Sequence, residues 1–340
     1  MPKIVITGGA GFIGSHITDH ICEQFPDHDV VVFDKMTYAA DFRNIQELAT
    51  SERIELVVGD ICDFDLACRV VDGADYVIHA AAESHVDNSF GNSLLFTMTN
   101  VYGTHAMMEA CRRMGVKRIV HVSTDEVYGE VLDGAADEST VLNPTNPYSA
   151  SKAGAEMIIS GYLHSYKMPI VTVRGNNIYG IRQYPEKIIP RFSLLLECGK
   201  KLTIHGTGNN RRHFLAAQDF AAAIALLMRK GEIGEIYNIG SEDEFENIVV
   251  ARMIAENFGY KLDDVVDFVP DRPFNDRRYA INSTKIRELG WAPRRNLLDD
   301  LPTVVRWYRD NAPRFRRLMT TFESHSADID IDLRAITHGA

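Results

Sequence analysis

The run Lys3–Thr7, KIVIT, passes without a break into Thr7-Gly8-Gly9-Ala10-Gly11-Phe12-Ile13-Gly14. A short β-branched run, spaced glycines and then an apolar helical pattern over Phe12–Glu23 read as strand, tight turn and helix. A strand that is apolar on both faces must be covered on both sides, so the unit needs neighbours of its own kind. The chain supplies them. Further candidate strands are Val30–Asp34, Ile54–Val58, Tyr76–Ala80, Arg118–Val122 and Ile170–Arg174, with helical patterns between them such as Leu66–Val71, Leu94–Met114 and Tyr148–Tyr166. Such alternation predicts an α/β fold built on a doubly wound parallel sheet of the Rossmann type.

Beyond about Gly180 the alternation lapses into shorter pieces. These are helices over Asp219–Arg229, Ile248–Phe258 and Leu298–Asn311, and a Pro/Asp/Arg-rich loop over Pro270–Arg278. We expect a sheet domain over 1–180, a smaller C-terminal lobe over 181–313 at the carboxyl ends of the strands, and a polar tail over 314–340. The tail reads equally as a flexible end or an oligomer arm. With 340 residues the chain can bury a core without staples. Its five cysteines (Cys22, Cys62, Cys68, Cys111, Cys198) form no CxxC pair, which argues against a disulfide framework or structural metal and for a reducing, cytoplasmic setting. A net charge of −11 disfavours nucleic acid as a partner. No apolar run is long enough for a membrane span, and Met1-Pro2-Lys3 does not read as a signal peptide.

The glycine turn is the first candidate site. Gly8, Gly11 and Gly14 let the backbone approach a pyrophosphate, and the N-terminal residues Phe12 and Ile13 present a helix end to its charge. Twenty residues past Gly14, strand two ends at Asp34. A carboxylate there accepts ribose hydroxyls and repels a 2′-phosphate, which favours NAD over NADP. Asp60, with Ile61 beside it, is a candidate for the adenine edge or for capping the segment Phe64–Val71. Ala80 and Ala82 are small enough for a cofactor to lie close, or simply for packing.

The second is Tyr148-Ser149-Ala150-Ser151-Lys152, preceded by Pro147. Proline starts helices readily, so Tyr148 and Lys152 share a helical face, and the cation is expected to lower the phenol toward use as a base near neutrality. Strand five ends in Ser123-Thr124-Asp125-Glu126-Val127-Tyr128-Gly129, at the sheet edge where ligands bind in open α/β folds. Asp125 and Glu126 are suited to divide acid and base work, or to cap a polar loop.

With these residues in place, the chain resembles the extended short-chain dehydrogenase/reductase family, and within it the nucleotide-sugar 4,6-dehydratases, from Lys3 to about Asn311. The subgroup is marked by the Asp125-Glu126 pair, Ala82-Glu83-Ser84-His85-Val86-Asp87, Tyr184-Pro185-Glu186-Lys187, Tyr237-Asn238-Ile239-Gly240, Asp271-Arg272-Pro273 and Asp276-Arg277-Arg278-Tyr279. The resemblance implies an enzyme that uses NAD to convert dTDP- or UDP-glucose to a 4-keto-6-deoxy sugar. Tyr148, with Lys152 and Thr124, would take the 4-OH proton, Glu126 the C5 proton, and Asp125 would protonate the departing 6-OH. Ser123 and Asn100 would lie near the nicotinamide. Asn177, Lys187, Arg212, Asn247 and Arg272 would hold the diphosphate, and Ser84 and His85 would line the sugar pocket. For His85 the alternative is ordering of its loop, and for the arginines surface salt bridging. His205 and Asn275, taken as substrate-binding candidates, depart from the dTDP-glucose pattern, where tyrosine and histidine are usual, and the segments Arg272–Asp276 and His85–Ser93 look closer to UDP-glucose 4,6-dehydratases. No metal site is expected. The resemblance also implies a homodimer through helices Leu94–Met114 and Tyr148–Tyr166. The runner-up is a 4-epimerase or uronate decarboxylase of the same fold, neither of which requires the Asp125–Glu126 pair. A non-catalytic NAD-binding protein would be expected to have lost Tyr148, Lys152 or the acids, and all four are present.

Overall fold

A computed structural model describes residues 1–271, 276–316 and 318. Its strands are β1 (Lys3–Thr7), β2 (Asp29–Asp34), β3 (Glu55–Val58), β4 (Tyr76–His79), β5 (Arg118–Thr124), β6 (Ile170–Gly175), β7 (Asn177–Tyr179), β8 (Leu202–His205), β9 (Arg211–Ala216), β10 (Ile236–Ile239), β11 (Glu244–Glu246) and β12 (Val266–Val269). The main helices are α1 (Phe12–Gln24), α2 (Phe64–Val71), α3 (Thr104–Met114), α4 (Pro147–Tyr166), α5 (Ile188–Glu197), α6 (Ala217–Lys230), α7 (Asn247–Asn257) and α8 (Leu297–Asp310).

Seven strands form one parallel sheet in the order β10-β6-β5-β4-β1-β2-β3. Its Val/Ile runs explain the two-sided cover. Ile4, Ile6, Val120 and Val122 pack on one side with Ile17, Ile21 and Phe220 of α1 and α6. Val5, Val77 and Ile119 pack on the other with Val70, Met107 and Ile159 of α2, α3 and α4. The strand order reverses between β1 and β4, and such a switch point opens a crevice at the carboxyl ends of the strands.

A second core gathers α5, α7 and α8 around Phe192, Leu195, Val250, Ile254, Leu301 and Tyr308. The sheets β11-β9-β7 and β12-β8 belong to this smaller body. The chain does not simply leave the large sheet at residue 180, because α6 and β10 return to it and place its seventh strand beside β6. The expected helix Leu94–Met114 is also not one regular helix. Ser93–Phe96 leads into a π-helical stretch, Thr97–Gly103, and then α3. The backbone runs so close to its neighbour here that a β-carbon on Gly103 would lie 2.6 Å from Ile61 Cδ1.

Beneath the carboxyl ends of β5 and β6 lies a buried ion pair. Arg174 of β6 meets Glu156 of α4 at 2.5 Å, and both side chains are 4 % exposed. Replacing Arg174 by Met strands the Glu156 charge and should destabilise the fold by roughly 3–5 kcal/mol in denaturant titrations. Replacing Glu156 by Leu as well should recover part of that loss; an unaffected single variant would contradict the buried-pair account.

Candidate active site

The glycine turn sits at the switch point. Gly8 has φ +70°, and a β-carbon there would lie 2.8 Å from Ala81 Cα; one on Gly14 would lie 2.0 Å from the Gly8 carbonyl oxygen. Only glycine lets β1 turn this tightly against α1 and the segment after β4. Gly11 is the N-cap of α1 and no side chain caps that helix, so the end carrying Phe12 and Ile13 is left to a ligand's charge. Asp34 is buried at the end of β2, where its carboxylate accepts the backbone N–H of Ala10 at 2.9 Å and Met36 at 2.8 Å. It therefore holds the turn as well as facing it. Burial raises its pKa, and the backbone N–H groups oppose the rise. Asp60 does not cap the following helix; Asp63 does, accepting from Leu66 N. The Asp60 carboxylate pairs with Lys35 at 2.8 Å and accepts from Cys62 N. Burial opposes its ionisation, but these partners outweigh it and leave the pKa low. The cradle around Gly8 and Gly14, the uncapped helix and the acid ending β2 together fit a dinucleotide, with Ala80 and Ala82 along the facing segment.

Asn100 lies in the π-helical stretch, fully buried. Its side chain accepts from Glu83 N at 2.8 Å and donates to Glu83 O at 2.9 Å and Ser151 Oγ at 2.8 Å. Ser123 donates to Glu156 at 2.5 Å.

At the end of β5 the two acids are brought together with the tyrosine and lysine. Asn146 caps α4 by accepting from Ser149 N, and Pro147 opens the helix, as its position predicts. Tyr148 and Lys152 are both buried. The expected lowering of the Tyr148 phenol is not what the structure shows. Burial raises it, the carboxylates of Glu126, Asp125 and Glu186 push the same way, and a hydrogen bond with Thr124 opposes them. Lys152 gives a 2.7 Å hydrogen bond to the Val122 carbonyl, and burial draws its ammonium down to about 8 against the pull of Glu156.

Asp125 is 2 % exposed and its pKa is pushed up to about 7, first by burial and then by Glu126. Its chief opposing contact is the amide of Asn176, which donates at 2.8 Å. Glu126 is also raised by burial, but Lys187 leads the groups that favour its charged form, followed by Asn146, whose amide donates at 3.3 Å, and Arg212. Each of the two neighbouring carboxylates thus accepts from a neutral amide and feels Arg212; they differ in what leads the opposition to burial, the Asn176 amide at Asp125 and the Lys187 ammonium at Glu126.

Around them the second body contributes Arg212, whose guanidinium lies 4.8 Å over the Tyr279 ring and donates to the Asp276 carbonyl. The Tyr279 hydroxyl bonds to the Asp276 carboxylate. Lys187 reaches the Ser84 carbonyl at 3.4 Å. His85 lies 3.6 Å from Glu186 and 3.7 Å from Asp87, and burial raises Glu186 to about 7. Asn177 begins β7, His205 ends β8 and Asn247 begins α7. Arg272 and Asn275 lie outside the described residues, as does most of the 314–340 tail; Arg314 itself contacts Asp41 at 3.2 Å and Asn44 at 2.8 Å. Asn176, Asn146, Glu186 and Tyr279 were not singled out as site residues. Asn176 reaches Asp125 through the strand register: Thr124 pairs with Gly175, so the residue after each lies beside the other. Among the described residues no cluster of His, Cys, Asp or Glu is arranged for a metal, and no helix is long and apolar enough to cross a membrane.

Comparison with known proteins places this geometry. A family described as GDP-mannose 4,6 dehydratase matches residues 5–301. A trifunctional UDP-glucose 4,6-dehydratase/UDP-4-keto-6-deoxy-D-glucose 3,5-epimerase/UDP-4-keto-L-rhamnose-reductase of Arabidopsis thaliana is 47 % identical over 91 % of this chain and 48 % of its own length. The chain therefore spans about half of that relative. A dTDP-D-glucose 4,6-dehydratase of Mus musculus is 43 % identical over 91 % of this chain and 89 % of its own. The crystal structure of a dTDP-glucose 4,6-dehydratase from Streptomyces venezuelae, with NAD bound, superposes with a TM-score of 0.89 at 40 % identity, covering 92 % of this chain and 98 % of that one. The chain belongs to the extended short-chain dehydrogenase/reductase family, in its nucleotide-sugar 4,6-dehydratase branch.

Proposed function

We propose that the protein is an NAD-dependent hydro-lyase that converts glucose carried on a thymidine or uridine diphosphate to the 4-keto-6-deoxy sugar. The observation that carries the reading is the buried Asp125–Glu126 pair beside Tyr148 and Lys152, two acids both raised by burial, with a neutral amide leading the opposition at Asp125 and the Lys187 cation at Glu126. When bound, NAD would supply the redox chemistry, the oxidised ring as acceptor of the C4 hydride and the reduced ring as its donor to C6. Gly8, Gly11 and Gly14 with the helix end at Phe12 and Ile13 hold its pyrophosphate, and Asp34 its adenosine ribose.

The residues of the chain then divide the proton traffic. Tyr148 accepts the 4-OH proton as its phenolate, a form that the Thr124 hydrogen bond and the Lys152 ammonium four residues along the helix favour against the burial and carboxylates that oppose it. Oxidation makes the C5 proton acidic, and Glu126, whose charged form Lys187 and Arg212 support against the burial that raises it, removes it. Asp125, protonated up to about pH 7, gives its proton to the departing 6-OH. Arg212 and Lys187, with Arg272 from its motif, neutralise the diphosphate, and guanidinium suits it because it binds two oxygens at once. Asn177 and Asn247 lie at the starts of elements in that same body and are assigned to the nucleotide. Exposed apolar side chains, Leu94 at 77 %, Met98 at 51 % and Met157 at 59 %, support a homodimer through these helices. The free thiols support a reducing, cytoplasmic setting.

Deuterium at C4 of UDP-glucose or dTDP-glucose should appear at C6 of the product within the same molecule, as read by mass spectrometry on a mixture of labelled and unlabelled substrate. Solvent deuterium should enter C5. Label returned to C4 would instead mean an epimerase, and a uronate decarboxylase, which needs a C6 carboxylate, would leave both glucose nucleotides unconverted. Glu126→Gln should slow product formation by roughly 10²–10⁴-fold while the C4 oxidation persists, detectable as a 4-keto hexose trapped by borodeuteride. Tyr148→Phe should suppress both.

The pH dependence of Asp125 has a definite sign. Its acid form is required, so turnover should fall as pH rises through about 7. Because its folded-state pKa lies above the unfolded value of about 3.9, wild-type stability is fully present below that value and declines as pH rises through about 7. Asp125→Asn should therefore melt higher than wild type at pH 8 and equally at pH 3.5, while turning over roughly 10²–10⁴-fold more slowly. An Asp125→Asn protein of lower stability at pH 8 would contradict this account.

A further inference from the structure

Behind the glycine turn lies a pair of buried imidazoles that the chemistry above does not use. His79 ends β4 and His121 lies in β5; they are 1 % and 0 % exposed, and their ring centroids are 5.4 Å apart. Burial, and after it the Lys152 ammonium, holds both well below the ordinary imidazole value, His79 at about 3. Each ring is neutral and carries a single ring proton.

Counting hydrogen bonds locates the proton of His79. Thr7 Oγ1 lies 2.8 Å from its Nδ1, and Thr104 Oγ1 lies 3.0 Å from its Nε2. The same Thr7 oxygen accepts the N–H of Ala81 at 3.1 Å, and takes a share of the Ala80 N–H at 3.2 Å, whose other acceptor is the Thr7 carbonyl at 3.3 Å. A threonine hydroxyl has two acceptor sites and one proton. The two backbone N–H groups fill the acceptor sites, so the contact with Nδ1 must use the hydroxyl proton. Nδ1 is then bare, and the ring proton sits on Nε2, where it is donated to Thr104. The opposite tautomer would crowd three N–H donors onto one oxygen and leave its proton without an acceptor among the described contacts.

This relay ends on the backbone that faces the dinucleotide turn. The β-carbon that Gly8 lacks would fall 2.9 Å from the nitrogen of Ala81, so the position of Ala80–Ala81 sets the clearance over Gly8. The far end of the same segment, Glu83, is held through both its N–H and its carbonyl by Asn100. Asn100 and Thr104 lie four residues apart where the π-helical stretch passes into α3. One helix therefore anchors both ends of the segment, directly at Glu83 and through His79 and Thr7 at Ala80–Ala81.

We propose that His79, in its Nε2–H form, is a positioning residue for the cofactor: through Thr7 it holds Ala80–Ala81 at the height that keeps the slot beside Gly8 open to a dinucleotide. The inference rests on the reading of Gly8–Gly14 as the dinucleotide site.

The test is calorimetric titration of the full-length chain with NAD⁺ and, separately, with dTDP and UDP. In His79→Leu the Thr7 proton loses its acceptor, and NAD⁺ should bind roughly tenfold or more weakly, with nucleoside diphosphate binding unchanged. In His79→Asn the amide oxygen stands near the place of Nδ1, and most of the NAD⁺ affinity should return. Nitrogen-15 histidine spectra of the wild type, with the His79 signals identified by their loss in His79→Asn, should show a proton on Nε2 and none on Nδ1. That measurement stands even where the Leu variant fails to fold. A proton on Nδ1, or wild-type NAD⁺ affinity in a folded His79→Leu, would overturn the role of His79 alone. A wild-type chain that bound no NAD⁺ would overturn the dinucleotide reading itself, and the inference with it.

Discussion

Everything at the active end of the sheet hangs on one buried network around the Arg174 guanidinium. Glu156 receives Nε and Nη2 of Arg174 and the Ser123 hydroxyl, while Nη1 donates to the Tyr128 hydroxyl at 2.7 Å. Tyr128 passes its own proton to Asn238 at 2.8 Å, and Asn238 donates to the Ala136 carbonyl. These residues come from β5, β6, β10, α4 and the turn after β5. Two charges in so dry a place are tolerable only if every donor and acceptor is met, because the desolvation cost of an unmatched one runs to several kcal/mol. A one-residue slip of β5 against β6, or a quarter-turn of α4, would break the set. The network thus fixes the register in which Thr124, Asp125 and Glu126 emerge immediately beyond Ser123, and in which Tyr148 and Lys152 arrive on α4.

The same region treats its carboxylates in opposite ways. Glu156 is matched by a guanidinium, and it also raises Lys152 against the burial that lowers it. Asp125 and Glu126, a few residues from that pair, receive an amide each and only the more distant fields of Arg212 and Lys187. Burial then wins, and both are raised. Perturbed acids where the fold has the means to neutralise a neighbouring one are what the proposed proton transfer requires. The uphill position of Tyr148 belongs to the same balance: a phenol packed against two carboxylates resists ionisation.

The N-terminal half was legible because its strands are covered on both sides, so their apolar runs are unbroken and their ends fall at glycines and acids. Asp34, Asp125 and Glu126 could be placed at strand ends for that reason alone. The second half was not legible in this way. Asn177–Tyr179 and Glu244–Glu246 are three residues each, too short for any period to declare itself, and Ile236–Ile239, no shorter than β3 or β4, has its apolar run broken by Asn238. The seventh strand of the large sheet was therefore missed, although its residues had been noted as a motif. The π-helical stretch, the Asn176 amide on Asp125 and the Asn146 amide on Glu126 depend on which elements come to lie side by side, and local sequence carries no trace of that. The Tyr148 expectation failed for a related reason: spacing shows the cation four residues away, but not the carboxylates and the depth that oppose it.

Asn176 shows how the two bodies of the chain are joined at the reacting groups. It follows β6 of the large sheet and precedes β7 of the small one, which pairs with β9, the strand that carries Arg212. Its backbone N–H is given to Ile239 of β10, its amide nitrogen to Asp125, and its amide oxygen receives Ser241 N at 3.3 Å. With those bonds made, the side chain has no freedom to turn over, so it must present N–H to Asp125. A β-carbon on Gly240 would lie 2.3 Å from the amide oxygen, so the bare backbone at the end of β10 is what leaves room for it. The return of α6 and β10 to the large sheet has a consequence for chemistry, then: it delivers the two residues that lock Asn176. The carboxylate it faces is held by neutral donors, this fixed amide at 2.8 Å and the Thr124 hydroxyl at 3.3 Å. That arrangement steadies the position of Asp125 without supplying the positive charge that would keep it ionised.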